Sequence, residues 1–334
     1  MTPASRRIAV LGAGSWGTAL AIQIARAGDL NVCMWGIDTD QILQMAQQRS
    51  NSFYLPDISF PDALKLEPDL IEALKADTLL LAIPSHALRS FIQSAKAHIR
   101  NDQHIVWATK GLEEGSSKLM HQVIAEELPG NKSTAVVSGP TFAKEVAMNL
   151  PTAVTVAASS KQLAGEVAGF LHHGNFRAYT CDDIIGVELG GSLKNVLAIA
   201  AGIADGLGFG ANTRAALITR GLAEIMRLGE AMGAQKETFM GLAGLGDLVL
   251  TCTDNQSRNR RMGLKLAEGL SIDQARVQIG QAVEGVKTAR EAHNLSQKFQ
   301  VELPIIEQTY NVLYEGLSAK EAVHALLARE ATHE

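Results

Sequence analysis

The sequence predicts an α/β protein in two parts, an N-terminal doubly wound parallel sheet followed by an all-α C-terminal domain. Three observations predict it. A glycine-rich turn, Gly12-Ala13-Gly14-Ser15-Trp16-Gly17, sits between a short apolar run and a helical stretch. Further apolar runs then alternate with helical patterns, the signature of strand–helix–strand units. Beyond about residue 185 only helical periodicity remains.

The first unit of the pattern is the most regular. Ile8-Ala9-Val10-Leu11 reads as a strand, Thr18 to Ala27 carries small and apolar residues at helical spacing, and Gly28 ends the helix. Asn31-Val32-Cys33-Met34-Trp35 is the second strand, completing a unit of roughly 30 residues. Thr78 to Ile83, His104 to Ala108 and Thr134 to Ser138 continue the strand series, with helical patterns such as Lys118 to Leu128 between them. Ala153 to Ala157 and Phe176 to Tyr179 extend or close the sheet. Helices are then expected at Val187 to Ala204, Thr213 to Gly233, Asn259 to Glu268, Ile272 to Ile279, Thr288 to Phe299, Ile305 to Glu315 and Ala319 to Arg329. Residues 1–186 therefore form one expected domain and 187–334 the other, with the functional site expected at their seam.

Composition bounds the partners. The chain has 334 residues, 46% hydrophobic and 19% charged, enough for two sizeable cores. A formal net charge of -5 provides no field for nucleic acid or an acidic membrane surface. No stretch approaches the roughly 20 continuous apolar residues of a membrane span, and no secretory leader is apparent. Cys33, Cys181 and Cys252 are isolated, so neither a disulfide framework nor a metal site can be drawn, and a reducing cytoplasm is the expected compartment.

The glycine turn indicates a Rossmann-type dinucleotide site. Gly12 permits the tight turn, Gly14 lets the backbone approach a pyrophosphate, and Gly17 lets helix and strand pack closely. The helix N-terminus offers N–H groups and a positive dipole end to the phosphates. No Gly-Lys dipeptide occurs, which excludes a Walker A loop. Asp38, about 20 residues beyond the turn, either holds a ribose 2′-hydroxyl, as NAD requires, or caps the helix beginning near Gln41. Preference between NAD and NADP stays open.

Hydride transfer to a ketone needs a proton donor. The Tyr-x-x-x-Lys pair is absent after all four tyrosines, because positions 58, 183, 314 and 318 are Ile, Asp, Tyr and Ser. Lys194 stands alone in the small and apolar helical stretch Gly190 to Ala198. It is either a buried lysine whose pKa falls toward neutrality or one that snorkels from a helix face. Lys110 follows the strand ending at Ala108 and stands either at a ligand edge or in solvent. Ser138-Gly139-Pro140-Thr141 ends another strand as a substrate contact or a plain turn, and Asp247, between glycines and an apolar run, is a helix cap or the partner of a lysine. Thr251 to Arg261 ends in three arginines at an apparent helix start, suited to a phosphate monoester or to a solvated basic face.

Five stretches in this order closely resemble the bacterial-type NAD(P)-dependent glycerol-3-phosphate dehydrogenase family: Gly12 to Leu20, Trp107 to Leu112, Ser138 to Glu145, Gly191 to Asn212 and Leu242 to Arg261. The resemblance covers nearly the whole chain. It implies that Lys194 is the general acid/base, that Lys110 contacts cofactor and substrate, and that Gly139 and Thr141 line the substrate site. It assigns Asp247, Ser257, Arg258 and Asn259 to sn-glycerol 3-phosphate, and Ser15, Trp16, Ala143, Arg258 and Glu284 to the dinucleotide. It also implies reduction of dihydroxyacetone phosphate on the way to phospholipids, and a homodimer. Two departures stand out. Ile37 replaces a commonly basic residue, which weakens any contact there to an NADP phosphate, and Ser192 replaces a commonly Ala or Thr position near Lys194. The competing readings are a β-hydroxyacid dehydrogenase, a ketopantoate-type reductase, or a non-catalytic dinucleotide sensor.

Overall fold

The computed structural model describes residues 6–328, which divide into two compact units. The first runs to Thr109 and resumes at Met120–Ile184; the second takes Lys110–Leu119 and the chain from Ile185 onward.

In the first unit the elements run β1 (Arg7–Leu11), α1 (Ser15–Ala25), β2 (Asn31–Trp35), α2 (Thr39–Gln48), β3 (Leu64–Leu66), α3 (Leu70–Leu74), β4 (Thr78–Leu81), α4 (Ser85–Ala95), β5 (His104–Trp107), α5 (Met120–Glu127), β6 (Thr134–Ser138), α6 (Ala143–Ala147), β7 (Thr152–Ala158), α7 (Lys161–Leu171) and β8 (Phe176–Cys181). They build one eight-stranded sheet in the order β3-β2-β1-β4-β5-β6-β7-β8. Its central strands are continuous apolar runs because both faces are covered: Ile8, Val10, Val32, Met34, Leu80, Val106 and Val137 are all buried. All pairings are parallel except β6 with β7. The reversal has a local cause. Only the five-residue α6 joins those strands, too short to cross back over the sheet, whereas the eleven-residue α7 returns the chain for a parallel β8. Strand order reverses at β1, whose neighbours are β2 and β4, so the turn after β1 lies at the switch point where open α/β sheets bind ligands.

From Ile184 onward the regular secondary structure of the described residues is all helical. The second unit contains α8 (Ile184–Gly206), α9 (Ala211–Ala231), α10 (Lys236–Phe239), a π-helical turn (Leu242–Gly246), α11 (Asp247–Thr253), α12 (Arg258–Ala267), α13 (Ile272–Ile279), α14 (Glu284–Phe299), α15 (Pro304–Tyr314) and α16 (Ala319–Leu327). α8 forms the axis of its core, with Leu193, Val196, Leu197 and Ile199 all 0% exposed. Among the described residues it is the one helix long and apolar enough to cross a membrane, yet 89% of its apolar window is buried, as befits a core helix. The buried Glu224 of α9 accepts the N–H groups of Ile305 and Ile306, serving the otherwise unpaired first turn of α15. Leu112 and Leu119 of the 110–119 segment join this core.

Candidate active site

In the first unit the glycine turn has the shape expected of an anion cradle. Gly12 has φ +123, and a Cβ there would lie 2.5 Å from the Ala82 carbonyl oxygen. A Cβ on Gly17 would come within 1.9 Å of the Gly12 oxygen, so strand and helix meet only through glycine. A Cβ on Gly14 would meet nothing within 4 Å, leaving its face open for a ligand. Gly14 is the N-cap of α1 and supplies no side-chain cap, so the N–H groups of the first turn are available to phosphate oxygens. Trp16, on that turn, has a buried indole Nε1–H without a partner among the described residues. These features fit a dinucleotide pyrophosphate.

At the end of β2, Ile37 is 91% exposed, and Asp38 is the N-cap of α2, its carboxylate accepting the Gln41 N–H at 3.0 Å. The capping alternative is therefore realised. At the end of β6, Gly139 has φ +154, and a Cβ there would sit 2.9 Å from Val154 Cα. The Thr141 hydroxyl donates to the Gly139 carbonyl at 3.1 Å, and Ala143 opens α6.

The second unit gathers the ionisable residues. The close approach of the π-helical turn to α8 is possible because Gly190 has no side chain: its Cβ would fall 2.5 Å from the Ala243 oxygen. That turn delivers Asp247 at the head of α11, where its carboxylate caps no helix; the N-cap is Gly246. Asp247 is 0% exposed and binds two lysines, one on each oxygen. Lys194 Nζ donates to Oδ1, and Lys110 Nζ donates to Oδ2 at 2.7 Å. Thr251, one turn further on α11, accepts from Lys194 Nζ at 2.8 Å and donates its own proton to the Asp247 carbonyl at 2.6 Å. Two of the three Lys194 N–H donors are thus occupied, which leaves one for a ligand oxygen.

The electrostatics follow. Lys194 is 7% exposed, so it does not snorkel, and burial pulls its pKa down to about 8. The Asp247 carboxylate opposes that shift and the Lys110 ammonium adds to it. An ammonium at this pKa gives and takes a proton near neutral pH. The neighbouring Cys252 thiol is pushed up to about 12 by burial and stays protonated.

Ser257 caps α12, its hydroxyl accepting the Arg260 N–H at 3.2 Å. Asn259 donates to Asn195 Oδ1 at 2.8 Å and accepts the Gly285 N–H at 2.9 Å, stapling α8, α12 and the start of α14, where Glu284 stands. Arg260 pairs with Asp205, which also holds Arg214, and so serves the scaffold. Half-buried Arg258 is the first residue of α12. Within this unit Lys110, Lys194 and Asp247 come together in direct contact, while Ser257 and Asn259 build the adjoining framework. Thr251 and Asn195 carry contacts that sequence reasoning had not assigned. The signal for Thr251 was its spacing, four residues after Asp247 on one helical face.

Comparison with known proteins identifies the family. Residues 7–164 match the family described as NAD-dependent glycerol-3-phosphate dehydrogenase N-terminus, and residues 183–324 match its C-terminus. A glycerol-3-phosphate dehydrogenase (NAD(P)+) from Thioalkalivibrio sulfidiphilus is 56% identical, covering 97% of each chain. The crystal structure of glycerol-3-phosphate dehydrogenase from Coxiella burnetii superposes with a TM-score of 0.93 at 49% identity, over 97% of this chain and 99% of that one. A ketopantoate reductase from Ralstonia eutropha, at 13% identity and TM-score 0.58 over 95% of this chain and 100% of its own, shares the fold alone. The chain belongs to the family of NAD(P)-dependent glycerol-3-phosphate dehydrogenases.

Proposed function

We propose that this chain catalyses the reversible reduction of dihydroxyacetone phosphate to sn-glycerol 3-phosphate, feeding glycerophospholipid synthesis. The observation that carries the reading is Lys194, a buried lysine held at a pKa of about 8 by burial and Lys110 against the Asp247 carboxylate.

NADH or NADPH, held at the glycine turn by Gly12, Gly14, Ser15, Trp16 and Gly17, supplies a hydride to carbon C2 of the ketone when bound. Lys194 donates its remaining N–H to the C2 oxygen and releases that proton to the alkoxide as the C–H bond forms. It leaves this step as a neutral amine and regains a proton from solvent. In the oxidative direction the neutral amine removes the hydroxyl proton. Asp247 keeps both lysines oriented. Lys110 supplies a second cation that steadies the developing oxyanion. Arg258 and Asn259, with the capped start of α12, bind the phosphate end. The family resemblance extends the substrate contacts to Gly139, Thr141 and Ser257, and the dinucleotide contacts to Lys110, Ala143, Arg258 and Glu284. Residues 1–186 supply most of the dinucleotide contacts and 187–334 most of the ketone contacts. The enzyme acts in the cytoplasm, as a homodimer.

The test is steady-state turnover of purified protein with each dinucleotide. Dihydroxyacetone phosphate should be reduced and unphosphorylated dihydroxyacetone should not. Equal turnover of the two ketones overturns the substrate, and no turnover of either favours a dinucleotide sensor.

A further inference from the structure

The ten residues from Lys110 to Leu119 have no regular secondary structure, yet they deliver one of the two lysines bound to Asp247. Leu112 and Leu119 anchor the segment's ends, at 2% and 1% exposure. Between them the chain closes on itself, Glu113 N–H to the Lys118 oxygen at 2.9 Å and Ser117 N–H to the Glu113 oxygen at 3.0 Å. Gly111 and Gly115 adopt positive φ, which glycine tolerates, whereas Ser117 at φ 57 takes a left-handed conformation that costs a residue with a side chain and persists only where its surroundings hold it.

One buried carboxylate holds both Gly115 and Ser117. Glu291 of α14 is 1% exposed and accepts the Gly115 N–H at 2.9 Å with Oε1 and the Ser117 hydroxyl at 2.7 Å with Oε2. A second, exposed pair, Lys287 with Glu114 at 2.8 Å, adds little in solvent. Gly111 N–H meets the Ser192 hydroxyl at 2.9 Å, fixing the segment's start to α8 two residues before Lys194.

We infer that Glu291 is a positioning residue for the reaction: by clamping the 113–118 loop onto α14 it holds Lys110 in register with Asp247. It touches no reacting atom. The inference rests on the proposed roles of Lys110 and Lys194. Its consequence is electrostatic as well as steric, because the Lys110 ammonium is one of the charges that set the proton affinity of Lys194. The charged and titratable groups facing Lys194 are Asp247 and Cys252 from α11 and Lys110 from the segment. Releasing the clamp weakens only the last of these, so Lys194 should hold its proton to higher pH.

The experiment is a double-mutant cycle of Glu291→Ala and Lys110→Met, read as kcat, KM for dihydroxyacetone phosphate and the alkaline limb of the reduction pH profile, with a thermal melt for each variant. Glu291→Ala should lower kcat/KM by roughly tenfold, mostly through kcat, and move the alkaline limb upward from about 8 in the same direction as Lys110→Met. Added to Lys110→Met it should cost less than about twofold more, because the lysine it positions is already gone. Glu291→Gln, which keeps an oxygen for Gly115 N–H and an amide for the Ser117 hydroxyl, should recover most of the loss; if the alanine variant does not fold, the cycle is run with Ser117→Ala, which removes one of the two contacts to Glu291 and should give a smaller loss of the same kind. Full additivity, or an unmoved limb, overturns the positioning role. Wild-type kcat/KM in Lys110→Met overturns the reading of Lys110 and this inference with it, whereas additivity beside a damaged Lys110→Met overturns the inference alone.

Discussion

Replacing Asp247 by asparagine removes the one negative charge between two ammonium groups while keeping the side chain's shape. In the native protein each carboxylate oxygen takes one lysine. An amide has a single acceptor, so one lysine loses its hydrogen bond and both lose the counter-charge. For Lys194 the sign is unambiguous: burial and Lys110 both push its pKa down, and only Asp247 is available to push it back appreciably. An opposite charge at contact typically shifts a pKa by about 1 to 3 units, so the variant should fall by about two, from about 8 toward ~6. At about pH 7.5 the protonated share of Lys194 then drops from about three-quarters to about 3%, a roughly 25-fold loss of competent acid. Reduction requires the protonated lysine, so its rate is retained below the pKa and lost as pH rises through it. The assay is kcat for dihydroxyacetone phosphate reduction across the acidic to alkaline range, with a melt to confirm folding. An alkaline limb that stays near 8 while the rate falls uniformly would refute the reasoning, since Asp247 would then not set the acid's proton affinity.

In the oxidative direction, where Lys194 must be neutral, the wild-type rate should rise through about pH 8, and the two directions should mirror one another; parallel profiles would remove Lys194 from the proton transfer. Ile37, 91% exposed beside the capping Asp38, has no charge to offer a 2′-phosphate, so Ile37→Arg should raise the NADPH-to-NADH ratio of kcat/KM by about tenfold; an unchanged ratio places the ribose elsewhere. Gly17→Ala would put a Cβ about where the Gly12 oxygen lies and should abolish dinucleotide binding or folding, as fluorescence titration and melting would show; a normal Kd contradicts the cradle.

Much of the fold was readable because long apolar runs and helical periodicities dominate it. The strands at Asn31–Trp35 and Thr134–Ser138 and the helix at Ile272–Ile279 lie where the pattern places them. β3 escaped notice, being three residues, Leu-Lys-Leu, at a sheet edge where an exposed lysine breaks the apolar run. The antiparallel turn into β7 depends on the length of α6, which no single-residue pattern reveals. At the site, Lys194 was conspicuous because a lone charge in an apolar helix must find a partner. Which partner was not legible, since Asp247 lies 53 residues away and reads locally as a cap. Glu291 lies 174 and 176 residues from the groups it binds and had no local signature at all.

The central claim is that Lys194 is the proton donor to the ketone oxygen. Its most direct test is the single-turnover rate of hydride transfer to dihydroxyacetone phosphate in Lys194→Met, with the dinucleotide Kd measured on the same preparation. The account predicts a fall of about 100-fold or more at an unchanged Kd. A rate within a few-fold of wild type would contradict it.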